Sequence, residues 1–177
     1  MPEAKPSRGL DRLVDELYAE LKKVAVGAVG GAGRERTLQP TALVHEAYLR
    51  LARAHALDLS DRRRFLALAA KVMRQVLVDH ARGRGRQKRG GEALFVTLGD
   101  AMAADGAPAI DLLALDQALE RLARVDPRQV EIVEMRYLAG LSVEEVAEAL
   151  GVSPTTVKRE AAMARAYLVG SLGSAGA

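Results

Sequence analysis

The residues with the strongest chemical character are the cations between Arg62 and Arg89. This stretch contains ten basic residues and one acidic residue, Asp79, and therefore carries a net charge of +9. Between Asp111 and Leu150 the balance reverses, with nine acidic and four basic residues. Because the whole chain has a net charge of only +3, its charge is segregated along the sequence. The middle of the chain is expected to bind a polyanion.

A second group of polar residues surrounds a short turn near the C-terminus. Ser142 and Glu145 match a capping box, Gly151 suits a left-handed turn, and Ser153 can cap a helix that begins at Pro154. This pattern is typical of a helix-turn-helix, whose second helix enters the major groove of DNA. An ordinary helical hairpin without a DNA role is the alternative. Candidate contacts to duplex DNA lie opposite the apolar stripe of the second helix and on its flanks: Thr155, Thr156, Lys158, Arg159 and Arg165.

Residues for catalysis or metal binding are scarce. The histidines, His45, His55 and His80, are scattered without paired ligand spacing, and the chain has no cysteine. The glycines from Gly27 to Gly33 match no phosphate-binding motif. The sequence therefore predicts no enzyme, no metal site and no cofactor.

The composition indicates helices. Hydrophobic residues make up 49% of the chain and aromatic residues only 3%, so its cores must be built from Leu, Val and Ala. The N-terminus has no apolar stretch of signal-peptide length, and nowhere do about 18 apolar residues run together as a membrane helix would need. A cytoplasmic protein with no membrane partner is expected.

Apolar periodicity predicts helices over residues 10–26, 40–56 and about 61–84. The third of these has an apolar face that includes Phe65, Met73 and His80, with the cations on its opposite face. Three further arginines, Arg62, Arg63 and Arg64, lie at its start. The cations expected on the polar face, called here the basic ridge, are Lys71, Arg74, Arg82 and Arg86.

Glycine-rich sequence over 89–110 predicts a linker. The predicted fold is all-α, with two small helical domains joined by a flexible linker, and the second domain is a helix-turn-helix. The expected boundaries are an N-terminal tail over 1–9, a first domain over 10–88, the linker over 89–110, a second domain over 111–172 and a C-terminal tail over 173–177. In the second domain, Asp111 and the Asp126-Pro127 pair are expected to begin helices, and Gly140 to end one.

Three strings in this order closely resemble the extracytoplasmic-function group of bacterial sigma factors: PTALVHEAYLRL, FLALAAKVMRQVLVDHARGRGRQKRGG and LSVEEVAEALGVSPTTVKRE. The resemblance covers about residues 10–170. It implies a factor that joins core RNA polymerase and directs transcription initiation. In that family the first domain binds the β′ clamp helices and captures the melted minus-ten element, and the second binds duplex minus-thirty-five DNA. The implied partners are core polymerase, through the β′ clamp helices and the β flap, and promoter DNA, and an anti-sigma protein is an open further candidate.

The resemblance also implies roles for particular residues. The helix that begins at Pro40 corresponds to the β′ docking helix, so Glu46, Tyr48 and Arg50 become candidates for polymerase binding. The loop over 57–64 corresponds to the pocket for a flipped base. The residues expected beside the melted strand are Arg62, Arg63, Arg64, Lys71, Arg74, Arg82 and Arg86. The main alternative is a stand-alone helix-turn-helix transcriptional regulator, but such a protein has no need of the basic ridge.

Overall fold

Stripes of leucine, valine and alanine form helices in most of the chain that the computed structural model describes. The described residues are 8–29, 38–54, 59–87, 95–96 and 110–173. The first lobe consists of α1 (Arg8–Glu16), α2 (Tyr18–Val29), α3 (Pro40–Arg53) and α4 (Arg62–Gln87). The second lobe consists of α5 (Leu112–Val125), α6 (Pro127–Val133), a π-helical segment (Glu134–Leu138), α7 (Val143–Leu150) and α8 (Pro154–Gly173). The prediction of an all-α fold is confirmed.

The first lobe is built around α4, against which α2 and α3 pack. Phe65 and Val76 of α4 are fully buried, as is Leu43 of α3. Phe65 is therefore a core residue, and its ring is not available for stacking on a base. Helix α4 begins after Asp61, whose carboxylate accepts a hydrogen bond from the Arg63 backbone N–H at 2.8 Å, as expected of a helix cap.

The first predicted helix is divided in the structure. Instead of one helix over 10–26, α1 and α2 meet at Leu17, where the Leu17 and Leu21 amides still donate to carbonyls four residues earlier. The junction is therefore a bend with almost continuous hydrogen bonding, and it leaves both leucines buried. Helix α2 continues to Val29, three residues beyond the predicted end at residue 26, so Gly27 lies within the helix.

The caps of the second lobe agree with the sequence. Asp111 accepts hydrogen bonds from the Leu113 and Ala114 amides, and Asp126 accepts from those of Arg128 and Gln129. The apolar stripe of α5 is at most 2% exposed and consists of Leu112, Leu115, Leu119 and Leu122.

The predicted helix before Gly140 has an unexpected second half. After Val133 the helix widens into the π-helical segment, in which the Ala139 amide donates to the Glu134 carbonyl five residues earlier at 2.8 Å. Gly140 ends it with a φ of +73°, a conformation that costs glycine little. Such segments add a residue to the turn and change which side chains face a neighbour, and here Glu134 is buried.

The two lobes pack against each other. Helix α4 contacts the π-helical segment, α5 and α7. A two-residue antiparallel pair, β1 (Phe95–Val96) and β2 (Ile110–Asp111), lies before α5. Apart from these residues, the predicted linker over 89–110 lies outside the described part of the chain, as do most of both predicted tails. Within the described ranges, no helix is both long and apolar enough to span a bilayer.

Candidate nucleic-acid interface

The helix-turn-helix is positioned by its own capping interactions. The Ser142 hydroxyl accepts from the Glu145 amide at 3.1 Å and the Glu145 carboxylate accepts from the Ser142 amide at 2.8 Å, which confirms the capping box. Gly151 then adopts φ +65° and ψ +36°, the left-handed geometry expected of the turn. Ala147 is 4% exposed, and its small side chain allows α7 and α8 to approach closely.

Helix α8 presents an apolar face to the lobe and a polar face to solvent. Its inward residues are Val157, Ala161, Ala164 and Leu168, all buried as predicted. Of the five candidate contacts, Thr155, Lys158, Arg159 and Arg165 are exposed. Thr156 is half-buried, and its hydroxyl shares a 2.9 Å hydrogen bond with that of Ser153. Arg159 has a side chain that is 67% exposed and lies 3.7 Å from the Glu160 carboxylate, so its guanidinium is accessible to a base edge.

The second lobe buries Arg74, one of the four residues of the basic ridge. This side chain was expected on a solvent-facing surface, but the residue is only 8% exposed. Its Nη1 donates to Asp116 of α5, and its Nη2 donates to Glu134 at 3.2 Å. The second Asp116 oxygen lies 3.5 Å from Arg82 Nη2. The guanidinium of Arg74 is thus held between two carboxylates of the other lobe.

Burial changes the pKa of the Glu134 carboxyl group. Burial raises the pKa of Glu134, and the nearby Lys71 and Arg74 cations oppose this shift by favouring the carboxylate. Glu131 adds a smaller contribution that raises the pKa further. Loss of hydration is therefore the dominant influence on this carboxyl group.

The arginines at the start of α4 also reach the second lobe. Arg62 lies 3.6 Å from the Glu145 carboxylate and 3.1 Å from that of Glu20. Arg64 Nη2 donates to the Ala149 carbonyl at 3.0 Å. Arg63 pairs with the carboxylates of Asp61 and Glu148, Lys71 is exposed and Arg82 is half exposed. The side chain of Arg86 and the loop residues 55–58 lie outside the described part of the chain.

The three candidates for polymerase binding on α3 are half-buried. The Tyr48 hydroxyl donates to Asp11 at 2.6 Å, and this bond raises the pKa of the phenol because ionisation would remove the donor and place two anions together. Arg50 pairs with Asp79 of α4 at 2.8 Å, and Glu46 lies 3.4 Å from the His80 ring. These side chains therefore also join α3 to the rest of the first lobe.

An exposed side of α3 was not singled out from the sequence. Leu49 is a 41% exposed leucine, and the exposed His45 and Arg53 lie four residues before and after it, on the same side of the helix. The signal in the sequence was a leucine outside the buried stripe of Leu43, Ala47 and Leu51. A leucine exposed beside polar residues is typical of a protein contact.

Asp116 was also missed. It lies four residues after Leu112 and three before Leu119 and therefore on the buried face of α5, where it is 6% exposed. An acidic residue within an apolar stripe was the available signal, because buried carboxylates require a cationic or hydrogen-bonding partner. Arg74, in a lobe remote in sequence, is that partner.

Comparison with known proteins identifies a family. The model of a family described as ECF sigma factor matches residues 7–173. This range includes both lobes and the chain between them. No curated protein and no solved structure matches the chain.

Proposed function

Since the chain belongs to the ECF sigma factor family, a family of DNA-binding transcription factors that act with RNA polymerase, we propose that it recognises the minus-ten and minus-thirty-five elements of promoters. The observation that carries this proposal is the extent of the match, which spans residues 7–173. A stand-alone regulator would share only its helix-turn-helix with such a family. The family match also covers the first lobe with its cationic α4.

In this proposal the second lobe binds duplex DNA. The exposed face of α8 carries Arg159, which can donate two hydrogen bonds to one guanine edge, and Lys158 and Arg165, which suit phosphates. The buried stripe on the opposite face fixes the rotation of α8, so these side chains project together. The helix-turn-helix thus supplies an upstream reading surface with little rearrangement.

The first lobe then holds the melted strand. Lys71, Arg82 and the three arginines at the start of α4 supply cations for its phosphates. Phe65 is buried in the core, so cation–phosphate contacts are expected to exceed aromatic stacking in this region.

The proposed polymerase contact lies on α3. Glu46, Tyr48 and Arg50 are included as sequence candidates. The exposed Leu49 is added because burial of an apolar side chain in a complex is favourable, whereas these three side chains already have partners within the first lobe. We further propose that the protein works in the cytoplasm with no cofactor and no catalysis of its own, because polymerase carries out the chemistry.

Run-off transcription with purified core polymerase tests the proposal. Start sites on a genomic template library should be enriched in the presence of the protein, and the protein should co-purify with core polymerase in a fixed ratio. A stand-alone regulator would bind duplex DNA without joining the core enzyme. Start sites identical to those of core alone would refute the proposal.

A further inference from the structure

We propose that the acidic residues of the second lobe act as an internal substitute for DNA phosphates and hold the free protein closed over its melted-strand surface. This inference rests on the proposed function, because it concerns regulation of the same surface. The contacts that carry it are called here the interlobe ion pairs. They join Arg74 to Asp116 and Glu134, Arg82 to Asp116, Arg62 to Glu145, and Arg63 to Glu148.

Asp116 is the central residue of these contacts. One of its oxygens accepts from Arg74 and the other lies 3.5 Å from Arg82, so a single carboxylate bridges two cations that are eight residues apart on α4. A DNA phosphate also offers anionic oxygens to guanidinium groups in this way. Bound to Asp116, Arg74 is not accessible to a strand, and the half-exposed Arg82 has part of its charge compensated.

The start of α4 also pairs arginines of the first lobe with acceptor groups of the second. Arg62 and Arg63 pair with acidic residues of α7, and Arg64 donates to the Ala149 carbonyl at its end. All three arginines belong to the predicted melted-strand surface. The interface therefore matches the cationic segment of one lobe with the acidic segment of the other, which agrees with the opposite charges of the two regions in the sequence.

The closed arrangement is too small to contact both promoter elements. Their separation of about 25 base pairs corresponds to about 85 Å of duplex, at roughly 3.4 Å per pair. A compact chain of 177 residues has a radius of gyration of about 16 Å and a diameter of about 40 Å. The lobes must therefore separate for both to bind, and 22 residues over 88–109 can span up to about 75 Å when extended once β1 and β2 part.

The interface has features of one that can open. A largely apolar cleft of about 300 Å³, partly open to solvent, lies between the lobes and is lined in part by Val24, Leu66, Leu115 and Leu138. The lobes are therefore not close-packed over their whole area of contact. In addition, Arg74 Nε is buried without a hydrogen-bond acceptor among the described residues. A strand that supplied more acceptor oxygens would therefore compete for this guanidinium.

Closure would lower the apparent affinity for single-stranded DNA, because only the open fraction of molecules can bind it. The chain has no cysteine, so cysteines introduced by Lys22→Cys on α2 and Arg124→Cys on α5 can carry a donor and an acceptor dye. Energy transfer between the dyes reports the separation of the lobes. Anisotropy of a short labelled single strand reports its affinity for the same full-length protein without polymerase.

The test variant is Asp116→Asn, which removes the charge and keeps the shape of the side chain. It should lower energy transfer and raise the affinity for single-stranded DNA by about tenfold, through a larger open fraction. The matched control is Glu144→Gln, which removes one charge from an exposed position of the same lobe. It should leave energy transfer unchanged and raise affinity less than twofold, roughly the effect of one remote surface charge. Circular dichroism establishes that both variants are folded.

Each result leads to a distinct conclusion. Lower energy transfer with tighter binding for Asp116→Asn alone supports the inference. Unchanged energy transfer overturns closure by Asp116 and leaves the proposed function intact, since that is tested by run-off transcription. Lower energy transfer without tighter binding overturns the inference and also removes support for α4 as the melted-strand surface. If Asp116→Asn and Glu144→Gln changed energy transfer and affinity equally, the changes would depend only on net charge, and the inference would be overturned.

Discussion

Replacing Arg159 with alanine should weaken recognition of the upstream element without disturbing the fold of the second lobe. The Arg159 side chain is 67% exposed, and its ion pair with Glu160, at 3.7 Å, is one that surface measurements place at about 0–1 kcal/mol. The fold should therefore lose little stability. A base-edge contact is worth about 1 to 3 kcal/mol, so the affinity for a cognate upstream duplex should fall about 5- to 150-fold.

The measurement is made with the holoenzyme on a promoter identified by start-site mapping. Binding to that promoter and to a copy with a scrambled upstream element is compared at one fixed salt concentration, because phosphate contacts vary with salt. Arg124→Ala is the matched control, since Arg124 is an exposed arginine of the same lobe, at the end of α5. Arg159→Ala should lose most of the preference for the cognate element, whereas Arg124→Ala should keep it.

Two results would refute this reasoning. If both variants weakened binding to both templates equally, Arg159 would act only through charge. If Arg159→Ala kept the upstream preference but abolished permanganate reactivity of the melted region, the roles assigned to the two lobes would be wrong.

Three further predictions concern stability, docking and titration. A fragment over 111–172 should be helical by circular dichroism, because α5 packs against α6 and α8 of the same lobe; a disordered fragment would contradict the proposed boundary. Leu49→Asp should lower the affinity for core polymerase at least about tenfold, whereas the control Val26→Asp, at a 51% exposed position on α2, should not; equal losses would remove Leu49 from the interface. Burial raises the pKa of Glu134 in the folded protein. The stabilisation that follows from this difference in pKa is complete below the unfolded-state pKa of about 4.3, and it is lost as pH rises through the raised folded-state pKa. Glu134→Gln should therefore flatten the pH dependence of urea unfolding in that window, and an unchanged slope would count against this account.

Local features of the fold were predictable because they depend on neighbours in the chain. The Ser142–Glu145 capping box, the left-handed Gly151 and the buried stripe of α8 all involve residues a few positions apart. Backbone preference and helical periodicity are sufficient to specify such features. For the same reason the sequence predicts the exposed face of α8, with Arg159.

Features that depend on distant residues were not predictable in this way. Periodicity placed Arg74 correctly on the face of α4 opposite its core, but that face is buried by Asp116 and Glu134 of a lobe more than forty residues away. Neither the π-helical turn that accompanies the burial of Glu134 nor the bend at Leu17 has a marked local signal. The sequence alone thus determined the helices, their caps and the segregation of charge, whereas only the tertiary structure decided which charges meet, because ion pairing between lobes depends on how separately formed surfaces pack.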